Sequence, residues 1–160
     1  MNVRTAGCSD VRLILAFIRE LAAYEKLARE VVATEEALAA TLFGPQPRAE
    51  VLIAEVDGVA TGFALYFHNY STFLGRPGIF LEDLFVRPEA RGRGAGRALL
   101  ARLAAIAEKR GCGRLEWAVL DWNESAIGFY RTLGATPMND WTTYRLTGDP
   151  LAKLAGEGSA

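Results

Sequence analysis

Two periodicities alternate along the chain and divide it into helices and strands. Apolar residues at Val11, Ile14, Leu15, Ile18, Leu21 and Ala22 recur at the spacing of one buried helix face. Ser9 or Asp10 stands where a cap belongs, so the pattern predicts a helix from there to about Leu27. Thr34 caps a second helix, Glu35 to Phe43, with acids in its first turn and Gly44-Pro45 as its stop. Leu99, Leu100, Leu103, Ile106 and Ala107 mark a third, Gly94 to Arg110, closed by Gly111. Asn123 or Ser125 opens a fourth that ends at Gly134. Shorter runs rich in β-branched and aromatic residues predict strands at Val3–Ala6, Val51–Val56, Val59–Phe67, Ile79–Val86, Leu115–Leu120 and Thr142–Leu146. Asp57-Gly58 joins the second and third of these as a tight hairpin. The polar, aromatic, glycine-containing stretch His68–Gly78 reads as a loop, and the small polar tail after Pro150 as frayed. The order starts β-α-α, continues with a hairpin and a further strand, then alternates α-β-α-β. It predicts an α/β (α+β) chain with one mixed sheet and helices on both faces.

Composition narrows the function. A chain of 160 residues suits one domain, 1–160, and 51% hydrophobic residues suffice for a sizeable core. With 23% charged residues and a formal net charge of −1, the broad basic excess of a nucleic-acid-binding domain is missing. No apolar run reaches the roughly 18 residues of a membrane span, and Met1-Asn2-Val3-Arg4-Thr5 lacks the apolar core of a signal peptide. The expectation is a cytoplasmic protein with Cys8 and Cys112 as reduced thiols. His68 is the only histidine and no Cys-x-x-Cys occurs, so the sequence predicts no metal site, and the isolated His68 reads as a solvated loop residue.

The candidate chemistry lies in Leu81-Glu82-Asp83-Leu84-Phe85-Val86-Arg87-Pro88, closely followed by Arg91-Gly92-Arg93-Gly94-Ala95-Gly96-Arg97. An apolar strand carries two adjacent carboxylates, and the next helix opens among glycines and arginines. Positive charge at a helix N-terminus opposes the macrodipole by roughly 0.3–1 kcal/mol per charge, and glycine there forgoes helix stability. A bound polyanion such as a diphosphate reverses the electrostatic argument. The spacing is neither Gly-x-x-x-x-Gly-Lys-Ser/Thr nor Gly-x-Gly-x-x-Gly, since position 97 is Arg. What remains is Arg91-x-x-Gly94-x-Gly96 between a strand and a helix: either an anion cradle or an arginine-rich surface loop. Strict alternation puts Glu82 on one face with Phe80, Leu84 and Val86, and Asp83 on the other with Ile79, Leu81 and Phe85.

This cradle resembles the pyrophosphate loop of GNAT superfamily acetyltransferases. Tyr24-Glu25, Tyr70-Ser71-Thr72 with Gly75-Arg76, Leu81-Glu82-Asp83, Ala118-Val119-Leu120-Asp121-Trp122-Asn123 and Tyr130-Arg131-x-x-Gly134-Ala135 are similar to the diamine acetyltransferase branch. That branch includes the spermidine/spermine and thialysine acetyltransferases, and the thialysine type is nearest. The resemblance implies the acyl-CoA N-acyltransferase fold, with a mixed, mostly antiparallel sheet. It implies acetyl-CoA as cosubstrate, held by residues 91–97, by the backbone of Leu84, Phe85 and Val86, and by Asn123, Glu124 and Ser125 from the other side. It also implies a small primary amine (thialysine-like, diamine or polyamine) as acceptor in a ternary complex. Glu82 takes the role of base and Tyr130, beside the cosubstrate, that of acid to the leaving thiolate. Tyr24 and Glu25 match the family's substrate contacts. Asp83 is either a further substrate-facing acid or a carboxylate satisfied at the strand end, and Trp141 either walls the amine pocket or is core. Between Ala135 and Trp141 the chain is a few residues shorter than the family, and Asp140 is a candidate acidic contact there. A homodimer is expected. The alternatives are an acyl-CoA-binding sensor with little catalysis and an enzyme acting on a protein N-terminus or lysine.

Overall fold

Five strands form one sheet in chain order: β1 (Asn2–Thr5), β2 (Glu50–Val56), β3 (Val59–Ser71), β4 (Arg76–Val86) and β5 (Leu115–Trp117). Neighbours are antiparallel except β4 and β5. That parallel pair is joined through α3 (Ala95–Lys109), the kind of crossover a parallel connection requires. The computed structural model describes residues 1–158, and the chain falls into two units. Met1–Ala118 holds the sheet with α1 (Val11–Tyr24), α2 (Glu35–Phe43) and α3; the unit that begins at Val119 holds α4 (Glu124–Thr132) and α5 (Gly148–Glu157).

In the first unit each sheet face has its own cover. Ile14, Phe17 and Leu21 of α1 and Leu42 of α2 pack with Val51, Phe63 and Phe85 from three strands, and the Phe17 and Phe63 rings stack 5.5 Å apart. Leu52, Ala54 and Ala64 alternate with these residues, point to the opposite face and are fully buried, as are Leu99 and Leu103 of α3. Burial of such side chains contributes about 1.5–3 kcal/mol each. The Asp57-Gly58 hairpin forms as expected, with both residues at positive φ. Thr34 caps α2 by accepting a hydrogen bond from the Ala37 N–H at 3.2 Å. Asp10, the residue before α1, makes no side-chain cap hydrogen bond to that helix. It accepts from the Gly7 N–H and pairs with Arg4, whose guanidinium holds its carboxyl below the usual range.

The structure corrects several expectations. The stretch expected as a loop, His68–Gly78, is mostly a continuation of the β3–β4 ladder, with His68, Asn69, Tyr70 and Ser71 paired to Ile79, Gly78, Pro77 and Arg76. Only residues 72–75 turn, and the Leu74 N–H donates to Ser71 Oγ. Cross-strand pairing there overrides the polar composition. His68 is exposed, but on a strand. In the other direction, β5 stops at Trp117 rather than Leu120, and α1 at Tyr24 rather than Leu27. Thr142–Leu146 is not a strand: among the described residues no ladder includes it, and a β-pattern without a partner has no ladder to join. The segment expected to fray is α5, with Asp149 in its first turn, where a carboxylate favours helix. Cys8 and Cys112 are free thiols.

Candidate active site

The site begins where β4 loses one of its two partners. β5 pairs with Ile79, Phe80 and Leu81 only; from Asp83 to Val86 the ladder continues with β3 alone. At this point β4 carries a bulge. Leu65 pairs with Asp83 and the next residue, Tyr66, with Leu81, which leaves Glu82 as the extra residue. The bulge breaks the alternation expected from the sequence. Asp83 and Phe85 share the face of Leu65 and Phe63, whereas Leu81 and Ile79 lie with Tyr66 and His68, on the face of Leu84. Asp83 therefore does not share a face with Ile79 and Leu81. Beneath the end of β4, Gly62 allows close approach: a Cβ there would lie 2.5 Å from the Phe85 carbonyl oxygen.

Three carboxylates interact here. Glu82 is exposed at the bulge. Asp83 is half-buried, and its carboxyl is pushed up to about 6, chiefly by burial and then by the charges of Glu82 and Glu25. Glu25 follows α1 as its C-terminal cap residue, and burial raises its carboxyl as well. Crowded carboxylates, two of them held above their ordinary range, form a site that a cation stabilises.

The turn between β4 and α3 has opposite polarity. Gly92 and Gly94 lie at φ 74° and 85°, and a Cβ at either would meet no other group within 4 Å. The glycines thus serve the left-handed backbone rather than packing. Gly94 is the N-cap of α3, no side chain caps that end, and the first-turn N–H groups are left to an external acceptor. Arg97 is exposed on the first turn. Arg93 donates to Asp57 Oδ2 at 2.7 Å in an exposed pair, which water and salt weaken. Arg91 donates from Nε to the Val86 carbonyl at 2.9 Å. Its guanidinium carbon lies 4.6 Å from the centre of the Tyr24 ring and 6.0 Å from that of Phe85.

The structure thus gathers Tyr24, Glu25, Glu82, Asp83, Leu84, Phe85, Val86 and the 91–97 turn within the first unit. Asn123, Glu124, Ser125, Tyr130, Asp140 and Trp141 belong to the second. Asn123 caps α4, its Oδ1 accepting from the Ala126 N–H at 3.2 Å. Glu124 and Ser125 are exposed in the first turn of that helix. Tyr130 is half-buried, its ring 5.6 Å from that of Phe129. Asp140 and Trp141 are exposed.

One feature escaped the sequence reading. Arg87 donates to both oxygens of Glu20 at 2.7 and 2.8 Å, and its guanidinium carbon lies 4.8 Å from the centre of the Phe17 ring. Arg87 and Arg91, at the end of β4 and in the turn after it, thus reach Glu20 and Tyr24, which are four apart on one face of α1. That spacing was the available signal, but nothing local says that this face meets the end of β4.

Comparison with known proteins bears on the family and the fold. Residues 17–135 match the acetyltransferase (GNAT) family. The chain is 40% identical to a thialysine N-epsilon-acetyltransferase of Sus scrofa over 97% of both chains. It is 34% identical to an L-ornithine N5-acetyltransferase of Arabidopsis thaliana over 96% of this chain and 87% of the relative. Among solved structures, an integron cassette protein of V. cholerae superposes with a TM-score of 0.80 at 28% identity, covering 96% of each chain.

Proposed function

The chain belongs to the GNAT acetyltransferase family and is an N-acetyltransferase, and from that premise we propose that it transfers the acetyl group of acetyl-CoA directly to a primary amine of a small diamine or thialysine-like amino acid. The observation that carries this reading is the opposition of charge within one unit: carboxylates at the β4 bulge, and an uncapped, glycine-opened helix flanked by arginines after it. The turn fits the cosubstrate's diphosphate, because its positive-φ glycines face open space and Arg97 is exposed there. When bound, acetyl-CoA supplies the activated acyl group.

The residues of the chain then divide the work. The 91–97 turn, Arg91, Gly92, Arg93, Gly94, Ala95, Gly96 and Arg97, grips the diphosphate through N–H groups and guanidinium charge. Along the part of β4 that lacks β5, backbone groups of Leu84, Phe85 and Val86 pair with the pantetheine arm, as an added strand would, the Val86 carbonyl also accepting from the Arg91 Nε–H. Asn123, Glu124 and Ser125 contact the same molecule. Glu25, Glu82 and Asp83 draw in an alkylammonium, with Tyr24 and Trp141 lining its approach. A protonated amine cannot attack, so Glu82, exposed at the bulge, accepts its proton at a carboxylate oxygen. The Tyr130 hydroxyl gives a proton to the departing sulfur. Cys8 precedes α1 and Cys112 follows α3, each at the opposite end of its helix from the residues assigned here, which favours direct transfer over an acyl-enzyme. We expect a homodimer. Among the described residues no helix is long and apolar enough to cross a membrane.

The test is thiol release from acetyl-CoA across thialysine, lysine, putrescine and spermidine, with a peptide N-terminus and a lysine peptide as controls. Release with one or more small amines is expected. CoA binding without release would leave a sensor, and release with peptides alone a protein acetyltransferase. Tyr130→Phe should lower turnover markedly with CoA affinity nearly unchanged; undiminished turnover would remove Tyr130 as the acid. Sedimentation at micromolar concentration should find a dimer, and a monomer alone would count against it.

A further inference from the structure

Arg91 makes contacts that anion binding does not account for. Its Nε–H is committed to the Val86 carbonyl at the end of β4, and its guanidinium carbon lies over the Tyr24 ring, 4.6 Å from the ring centre. Tyr24 is the last residue of α1, and Glu25, one of the carboxylates facing the bulge, follows it directly. The two Nη groups of Arg91 donate to no residue among those described, and the residue is exposed. One guanidinium therefore spans three things: the strand end, the helix end that leads into Glu25, and an exposed edge of N–H donors at the glycine turn. Arg87 supplies the contrast. It joins the same two elements, but Glu20 and Ala60 occupy its Nε, Nη1 and Nη2, so it is a brace within the chain.

We propose that Arg91 is a positioning residue that couples the two substrate sites, holding Tyr24 and Glu25 in place for the amine when an anion occupies its Nη edge. The inference rests on the acetyltransferase reading given above. A diphosphate on the Nη groups fixes the guanidinium plane, because its N–H donors lie in a rigid fork. The guanidinium carbon sits over the Tyr24 ring, so fixing the guanidinium restricts the end of α1 and lowers the ordering cost of amine binding. Linkage requires the reciprocal effect: bound amine strengthens cosubstrate binding by the same factor.

The experiment is calorimetry with free CoA, which carries no acyl group to transfer, and the best acceptor from the amine panel. Amine affinity is measured with and without saturating CoA, and CoA affinity with and without amine. In the unsubstituted protein each ligand should tighten the other by the same factor, about tenfold. Arg91→Lys keeps the positive charge but lacks the planar fork. It should weaken CoA binding, and the mutual factor, taken as a ratio of affinities within that variant, should fall to about one. Tyr24→Leu removes the ring and should also abolish the factor. If Tyr24 merely touches the amine, its loss would weaken amine binding equally with and without CoA, leave the factor intact and overturn the proposal. An unchanged factor in Arg91→Lys, or none in the parent protein, would overturn it as well. A parent protein that turns over no amine would strike the acetyltransferase reading itself, and this inference with it. Normal turnover with unaltered coupling in the variants would remove this inference alone.

Discussion

Asp83 and Glu82 are neighbours with opposite environments, and the bulge is the reason. An extra residue at position 82 leaves Glu82 in solvent and puts Asp83 half under cover beside Glu82 and Glu25. A carboxyl whose ordinary value is 3.8 and whose folded value is about 6 binds its proton more tightly in the folded chain. The stabilising protonated form is fully present below 3.8, and ionisation weakens the fold as pH rises toward and through 6. Asp83→Asn removes this dependence. Its stability relative to the parent should improve by about 2–3 kcal/mol between pH 4 and pH 7.5 in chemical denaturation; a pH-independent difference would contradict the burial argument. Glu82→Gln should behave otherwise. At an exposed position it should change stability by no more than about 0.5 kcal/mol, yet lower kcat/KM at least about 100-fold if this carboxylate accepts the amine proton. A kcat/KM within a few-fold of the parent would pass the base role to another group.

At the scale of elements, locally encoded features were legible and those imposed by a partner were not. Thr34 with the acids after it delimits α2, and Asp57-Gly58 turns the β2–β3 hairpin, because caps and two-residue turns are set by the residues themselves. The β3–β4 ladder beyond Phe67 was hidden, since Asn69 and Ser71 are strand residues only by virtue of pairing with Gly78 and Arg76. The bulge was hidden for the same reason: it is a property of two strands, and Glu82 read alone simply alternates. The opening of α3 lies between these cases. Its glycines were visible, and the structure adds the reason for Gly94, an N-cap at φ 85°. Gly94→Ala should cost about 1–2 kcal/mol, lowering Tm by several degrees in calorimetry. It should also weaken acetyl-CoA binding by disturbing the first-turn N–H groups. A variant with parental Tm and affinity would show that the turn does not depend on this backbone geometry.

Across the whole molecule, a formal net charge of −1 conceals a strong separation of charge. Arg91, Arg93 and Arg97 gather at one turn, while Glu25, Glu82 and Asp83 gather around the β4 bulge. Each cluster combines residues that sequence motifs marked, but the ties between elements, Arg91 on Tyr24 and Arg87 on Glu20, were invisible because they join residues 67 positions apart. An acceptor entering the acidic cluster is drawn by a field that salt can screen: the Debye length falls from about 30 Å at 0.01 M to about 10 Å at 0.1 M ionic strength. With acetyl-CoA saturating, the amine KM should therefore rise several-fold over that range while kcat stays nearly constant, because screening weakens capture rather than the transfer step. The slope should be steeper for putrescine, which carries two charges, than for a monoamine of similar length. Equal slopes would mean that only one ammonium feels the carboxylates. A KM indifferent to salt would mean that Glu25, Glu82 and Asp83 do not face the acceptor at all.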